Sequence, residues 1–221
     1  MSSPAQRHRE RIEAEISAAS ATNVDGNAVA TGNAYELMLA KLAEDKRALS
    51  GIKSIEKKIE LKRTRLPEYQ PWCEGVLQAY KPVQDDVFAT IMVWHIDVGD
   101  IDTALVMAEY MLTHNLKLPE HYKRDLATLV VEEIADQFDG HSVIVSAAEL
   151  LHLGQITDGR DMPDEVRAKL HKAIGLSLRD ESPAQALEHL QRALQLNARI
   201  GVKQEITKLG KQLIPATPPA N

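Results

Sequence analysis

Asp97, Asp100 and Asp102 fall within one short stretch of the chain. Convergent carboxylates are what a two-metal nuclease uses to hold Mg²⁺ against a phosphodiester. An aspartate at a turn, just ahead of an apolar-periodic run, is also the residue that caps a helix. Capping is the plainer reading here, and the same holds for Asp85-Asp86. Glu56-Lys57-Lys58 and Glu60-Leu61-Lys62 match the E-x-K fragment of a common nuclease core, but that core sets its charges on adjacent strands. Both fragments here lie in a helical pattern, where Glu and Lys at such spacings are ordinary solvated residues. The eight histidines are scattered, neither H-E-x-x-H nor C-x-x-C occurs, and Cys73 is the only cysteine. No G-x-x-x-x-G-K-[ST] loop and no G-x-S-x-G elbow is present, so no ATP site or acyl nucleophile is expected. The residues therefore offer no catalytic set beyond the weak nuclease alternative of Asp97, Asp100 and Asp102. Only that alternative would call for a cofactor, Mg²⁺.

The stronger chemical signal is charge. Lys41, Lys46, Arg47, Lys53, Lys57, Lys58, Lys62, Arg63 and Arg65 stand against Glu44, Asp45, Glu56 and Glu60. That segment carries +5 while the chain carries −6, so the remainder sums to −11. A cationic segment on an anionic body can hold a polyanion that the rest of the surface repels. Arg7, Arg9 and Arg11 form a second basic group near the N-terminus. A lysine-rich helix face can also be simple solvation.

The elements that must carry these charges read as helices. Aromatics make up 4% of the residues, and Leu, Ala, Ile, Val and Met supply the apolar bulk, a mixture that favours helix. Gln6 to Ala19 reads as a first helix, and the small, polar residues 20–33 as a flexible linker. From Tyr35 a heptad runs through Tyr35, Met38, Leu42, Leu49, Ile52 and Ile59, with Asp45 and Glu56 as defects in the seam. This seam is a candidate for oligomerisation. Packing against the Pro71–Tyr80 segment explains it equally well. Eight of the nine cations fall off the seam, so their charges are expected to face outward. Pro67 is expected to end this helix, because the residue before a proline is pushed out of helical geometry.

Beyond Pro82 the 3.6-residue period is clear. Val87, Ile91, Trp94 or His95, and Val98 form one stripe, Ile101, Leu105, Ala108 and Leu112 the next, and Leu126, Val130, Ile134 and Phe138 a third. Gly99-Asp100 turns the chain, so successive helices should pack as antiparallel hairpins. A further helix is expected near 143–151 and a loop over 153–162. Ala173-Ile174-Gly175, followed by Ala186, Leu190 and Ala193, is the small-residue order of a tetratricopeptide-like (TPR-like) hairpin. Trp72 and Trp94 read as core anchors. The fold class is all-α. Residues 1–33 form the N-terminal helix and linker, 34–66 the basic coiled-coil-like helix and 67–152 the helical-hairpin core. Residues 153–213 form the TPR-like C-terminal helices and 214–221 a disordered tail. No stretch is long and apolar enough to cross a bilayer. The opening residues lack the apolar core of a secretion signal, and lone Cys73 fits a reducing cytoplasm.

Several segments together resemble a known family. They are Ser3-Pro4-Ala5-Gln6-Arg7-His8, Tyr35-Glu36-x-Met38-Leu39-x-Lys41-Leu42-Ala43, Gln84-Asp85-Asp86 and Trp94-x-x-Asp97-x-Gly99-Asp100-Ile101. The longest is Asp161-Met162-Pro163-Asp164-Glu165-Val166-Arg167-Ala168-Lys169-Leu170-His171-Lys172, continued by Gly175-Leu176-x-Leu178-Arg179-Asp180. Ala186-Leu187-x-His189-Leu190-Gln191-Arg192-Ala193 completes the set. In this order, from about residue 3 to residue 210, the chain resembles the small terminase subunit of peduovirus-type tailed bacteriophages. The resemblance implies a protein of the infected host's cytoplasm that binds double-stranded phage DNA at the cohesive-end packaging site. It also implies a homo-oligomer, often a ring, that delivers DNA to the large ATPase subunit. The family is commonly labelled the terminase endonuclease subunit. Relatives can carry a Lys/Arg-rich C-terminal extension, whereas this chain ends in Pro-Ala-Asn, which places more weight on Arg7, Arg9, Arg11 and the 41–65 cations. The helices of 164–198 are expected to dock the large subunit. A helical-repeat adaptor without DNA contact is the other open reading of the residues.

Overall fold

The computed structural model describes residues 3–19, 22–24, 27–29, 32–79, 81–140 and 143–213. Its regular structure is helical apart from one short hairpin. The chain forms two compact units, Met1–Leu126 and Ala127–Asn221.

The first unit holds α1 (Pro4–Ala19), β1 (Thr22–Val24), β2 (Asn27–Val29), α2 (Asn33–Ser50), α3 (Ile55–Gln78), α4 (Asp86–Val98) and α5 (Ile101–Thr113). The strands pair antiparallel, Thr22 opposite Val29 and Val24 opposite Asn27, where the sequence reading expects a linker. Asp25-Gly26 between them is a strong short-range hairpin signal. Residues 20, 21, 25, 26, 30 and 31 of that expected linker lie outside the described residues.

The single helix expected over 34–66 is instead two. Gly51 closes α2, and Ser54 opens α3 by accepting a hydrogen bond from Lys57 N at 3.4 Å. A glycine with a capping serine three residues on offers the backbone a better alternative than continuing. Nor does Pro67 end a helix. α3 runs through both Pro67 and Pro71 to Gln78. The physical reason is burial: Leu66, Tyr69, Trp72, Cys73 and Val76 all enter the core from this stretch, and tertiary packing outweighs two lost backbone donors. Gly75 permits the contact with α1. A Cβ there would collide with Arg11 O and fall 2.7 Å from the Ala14 Cβ.

Tyr69, Trp72, Phe88, Ile91, Met92, Ile96, Ile101, Leu105, Met107 and Met111 form the centre of this unit. α4 begins at Asp85, whose carboxylate accepts from Phe88 N at 2.9 Å. It ends at Gly99, left-handed at φ 81°, a conformation glycine adopts at least cost. α5 follows at once, so α4 and α5 form the expected hairpin.

The second unit holds α6 (Leu126–Asp139), α7 (Ala147–Ile156), α8 (Asp164–Leu178), α9 (Pro183–Leu196) and α10 (Lys203–Leu213). α7 starts later than expected, at a capping box between Ser146 and Glu149, and extends to Ile156 into the stretch read as a loop. α8 and α9 make a close hairpin. A Cβ on Gly175 would fall 2.7 Å from Leu190 Cγ and 3.0 Å from Ala186 O. Ala173, Ala186 and Ala193 are buried in the same pair of helices. His171 and His189 face each other across the hairpin, Nδ1 to Nδ1 at 3.0 Å. Burial first, then neighbouring positive groups, pushes the His171 imidazole down to about 4. One ring therefore donates and the other accepts at neutral pH. Residues 214–221, read as a disordered tail, lie outside the described residues. No described helix is long and apolar enough to cross a membrane.

Candidate nucleic-acid interface

α2, the 51–54 turn and α3 carry the nine cations of the basic segment, and the structure sorts them into two groups. Lys41, Lys62 and Arg65 are claimed by carboxylates. Lys41 Nζ lies 3.1 Å from Asp45 Oδ2 and 2.9 Å from Glu68 Oε2, with its ammonium 4.2 Å from the Tyr69 ring centroid. Arg65 Nε lies 3.1 Å from Asp45 Oδ1, and Arg65 Nη1 donates to Glu68 Oε1 at 3.2 Å. Lys62 pairs with Asp97 and also faces the Trp94 ring. The expectation that these three cations face outward unencumbered is therefore corrected.

Asp45 is the reason. Read from the heptad as a defect, it is 5% exposed and accepts from Tyr69 OH at 2.7 Å. A buried carboxylate needs partners, and the chain recruits one hydroxyl and two cations for it. Burial, then the hydrogen bond to Asp45, pushes the Tyr69 phenol up. Lys41, helped by Arg65, holds the Glu68 carboxyl below its usual range.

The other cations are more open. Lys53, Lys57 and Lys58 have no carboxylate in ion-pair reach among the described residues. Lys53 and Lys57 are exposed and Lys58 is half-buried. Exposed Arg47 makes one long bond to its own helix, Nε to Ala43 O at 3.3 Å. Exposed Arg63 donates from Nη2 to Val98 O at 3.1 Å. Half-buried Lys46 faces His121 Nε2 at 3.4 Å, and desolvation lowers its ammonium. On α1, Arg7 and Arg9 are exposed. Arg11 meets His8 at 3.1 Å, and its Nε is buried without a partner among the described residues. Arg7, His8 and Arg11 line a surface pocket with Gln70, Pro71 and Glu74 of α3.

The seam proposed for oligomerisation is largely spent inside the chain. Tyr35, Leu42 and Leu49 are buried. Tyr35 stacks on Trp72 at 6.1 Å, and its hydroxyl accepts from Asp86 N at 3.1 Å. Tyr35 thus follows the intrachain alternative of packing on the Pro71–Tyr80 stretch, and Leu42 and Leu49 are buried within the chain. Met38, Ile52 and Ile59 remain half-buried. Trp72 and Trp94 are core residues at 2% and 3% exposure.

The three candidate nuclease aspartates do not converge. Asp97 pairs with Lys62. Asp100 caps α5, accepting from Thr103 N at 3.4 Å, and holds His95 Nδ1 at 2.8 Å. Asp102 is exposed on the first turn of α5. Two of the three are thus occupied by a cation or a cap, and the set does not fit Mg²⁺. Among the described residues, no three His, Cys, Asp or Glu side chains gather as a metal would require.

One residue escaped sequence reasoning in part. Asp85 reads as a cap, and it is one, but it is also 3% exposed and accepts from Trp72 Nε1 at 2.8 Å. Burial pushes its carboxyl up to about 6, against the hydrogen bonds from Phe88 N and Trp72.

A family profile described as phage small terminase subunit matches residues 39–165. The terminase, endonuclease subunit of Escherichia phage P2 is 43% identical over 223 residues, covering 99% of this chain and 89% of that one. The probable terminase, endonuclease subunit of Haemophilus phage HP1 (strain HP1c1) is 28% identical over 216 residues, covering 88% of this chain and 76% of that one. No solved structure matches.

Proposed function

The chain belongs to the phage small terminase subunit family, and from that premise we propose that it binds duplex DNA through the cations its own carboxylates leave unclaimed. It thereby marks the packaging site, assembles as a multimer and passes DNA to the large ATPase subunit. The observation that carries this reading is the grouping of Lys53, Lys57 and Lys58, with Arg47, around one exposed turn of a protein that is otherwise acidic. Arg7, Arg9 and Arg11 add a second set on α1. Such contacts fix position on the phosphate backbone without reading sequence, and repetition around a multimer would turn weak contacts into avidity. The half-buried Met38, Ile52 and Ile59 remain candidates for contact between copies. The α8–α9 hairpin is the candidate surface for the large subunit.

Fluorescence anisotropy with cohesive-end DNA, titrated across salt, tests the reading. Log affinity should fall linearly with log salt, and the Lys53→Glu/Lys57→Glu/Lys58→Glu variant should reduce that slope by about 3. Absence of binding at low salt would leave a protein adaptor without DNA contact. The relatives' names favour a second reading, an endonuclease, which predicts that the purified chain cuts cohesive-end DNA with Mg²⁺ or Mn²⁺. Inert protein under those conditions removes it.

A further inference from the structure

Ile55 stands out among the large apolar side chains left in solvent because of its surroundings. It is 75% exposed at the start of α3. Exposed Lys53 and Lys57 flank it in sequence, Lys58 follows one residue later, and half-buried Ile52 precedes it by three. Glu56 is the one carboxylate between Gly51 and Lys58. A single exposed isoleucine needs no explanation. Here it sits on a narrow turn between two helices, where residues 53–57 are all exposed, and the neighbouring ammonium groups have no carboxylate to hold them among the described residues. One or two isoleucines cannot supply the roughly 800 Å² per partner that a stable protein interface buries. A side chain inserted between base pairs needs no more than that, and apolar wedges flanked by cations are how proteins kink duplex DNA from its minor groove.

We propose that the α2–α3 turn is a DNA-bending wedge, with Ile55 entering a base step while Lys53, Lys57 and Lys58 hold the phosphates on either side. This rests on the DNA-binding reading above and adds a mechanism of site choice to it. Pyrimidine–purine steps such as TA and CA unstack most easily, so a wedge prefers sites that contain one without any hydrogen bond to a base edge.

The test uses the full-length protein and a duplex of about 30 base pairs with a central TA step, labelled at both ends for energy transfer. Wild type should shorten the end-to-end distance. Ile55→Ala should abolish the shortening and weaken binding by about tenfold or less, with the salt slope unchanged. Ile55→Leu should retain the bend, and circular dichroism confirms that each variant is folded. If Ile55→Ala bends DNA as wild type does, the wedge is wrong and DNA binding stands. If it instead changes the sedimentation mass of the protein, Ile55 is a contact between copies and the wedge is again wrong. If wild type binds no duplex at low salt, the DNA-binding reading fails and the wedge with it.

Discussion

Asp45 places one buried carboxylate under a tyrosine hydroxyl and two cations, so its loss strands the Tyr69 hydroxyl and leaves Lys41 and Arg65 to Glu68 alone. Asp45→Ala should lower stability by about 2 kcal/mol, because the buried Tyr69 hydroxyl is left unsatisfied, whereas Tyr69→Phe, which removes a single hydrogen bond, should cost about 1 kcal/mol. The two midpoints in urea denaturation measure the difference. Asp85 makes the opposite kind of prediction. Its carboxyl is raised from 3.8 to about 6 in the folded chain, so between those pH values the native state binds more protons than the unfolded one. Stability contributed at this site therefore falls as pH rises from about 4 to 6. Asparagine is itself a good helix cap and does not titrate. Asp85→Asn should gain on wild type by on the order of 2–3 kcal/mol as pH rises through that window, read as the difference between two stability profiles. Both aspartates were visible in the sequence, one as a seam defect and one as a cap. Their burial was not, because it depends on Tyr69 and Trp72 arriving from a helix whose course the prolines obscure.

At the scale of elements, three glycines separate tight contacts from open ones. Gly75→Ala drives a methyl into the Arg11 backbone on α1 and should cost about 3 kcal/mol. Gly175→Ala presses on buried Leu190 and should cost about 2 kcal/mol. Gly154 meets only Ile174 Cδ1 at 3.4 Å, so Gly154→Ala in α7 should be neutral or gain up to about 1 kcal/mol from helix propensity. Thermal melts of the three variants rank them. α4, α5 and α6 were legible in the sequence because each stripe of apolar residues keeps the 3.6 period and Gly99-Asp100 marks the turn between the first two, whereas α7 was misplaced by several residues. Nor was the course of α2 and α3 legible. A heptad pattern reads straight across the break at 51–54, since Leu49, Ile52 and Ile59 keep its spacing although Leu49 is buried and the other two are half-buried. The proline at 67 signals a stop that the burial of Tyr69 and Trp72 overrides.

For the whole molecule, charge decides where a polyanion can settle, and internal pairing decides how much of that charge is available. Counting Lys and Arg from the sequence overstates the cationic face, because Asp45 inside the segment, Glu68 just beyond it and Asp97 from α4 claim three of the nine. If duplex DNA binds the native chain alone, it should raise the melting temperature. Saturation at a hundredfold excess over Kd corresponds to about 2.7 kcal/mol, and the rise should shrink steeply between about 50 and 200 mM salt. Differential scanning fluorimetry at two salt concentrations reads this directly. α3 has one further consequence. Its outer end holds Lys57, and its inner stretch holds Gln70, Pro71 and Glu74 against Arg7 and Arg11. A single unbroken helix of that length fixes an interval of about 20 Å between the two groups. It serves as a yardstick, and an extra turn inserted between Lys57 and Gln70 would shift its far mark by about 5 Å while leaving both sets of side chains unaltered.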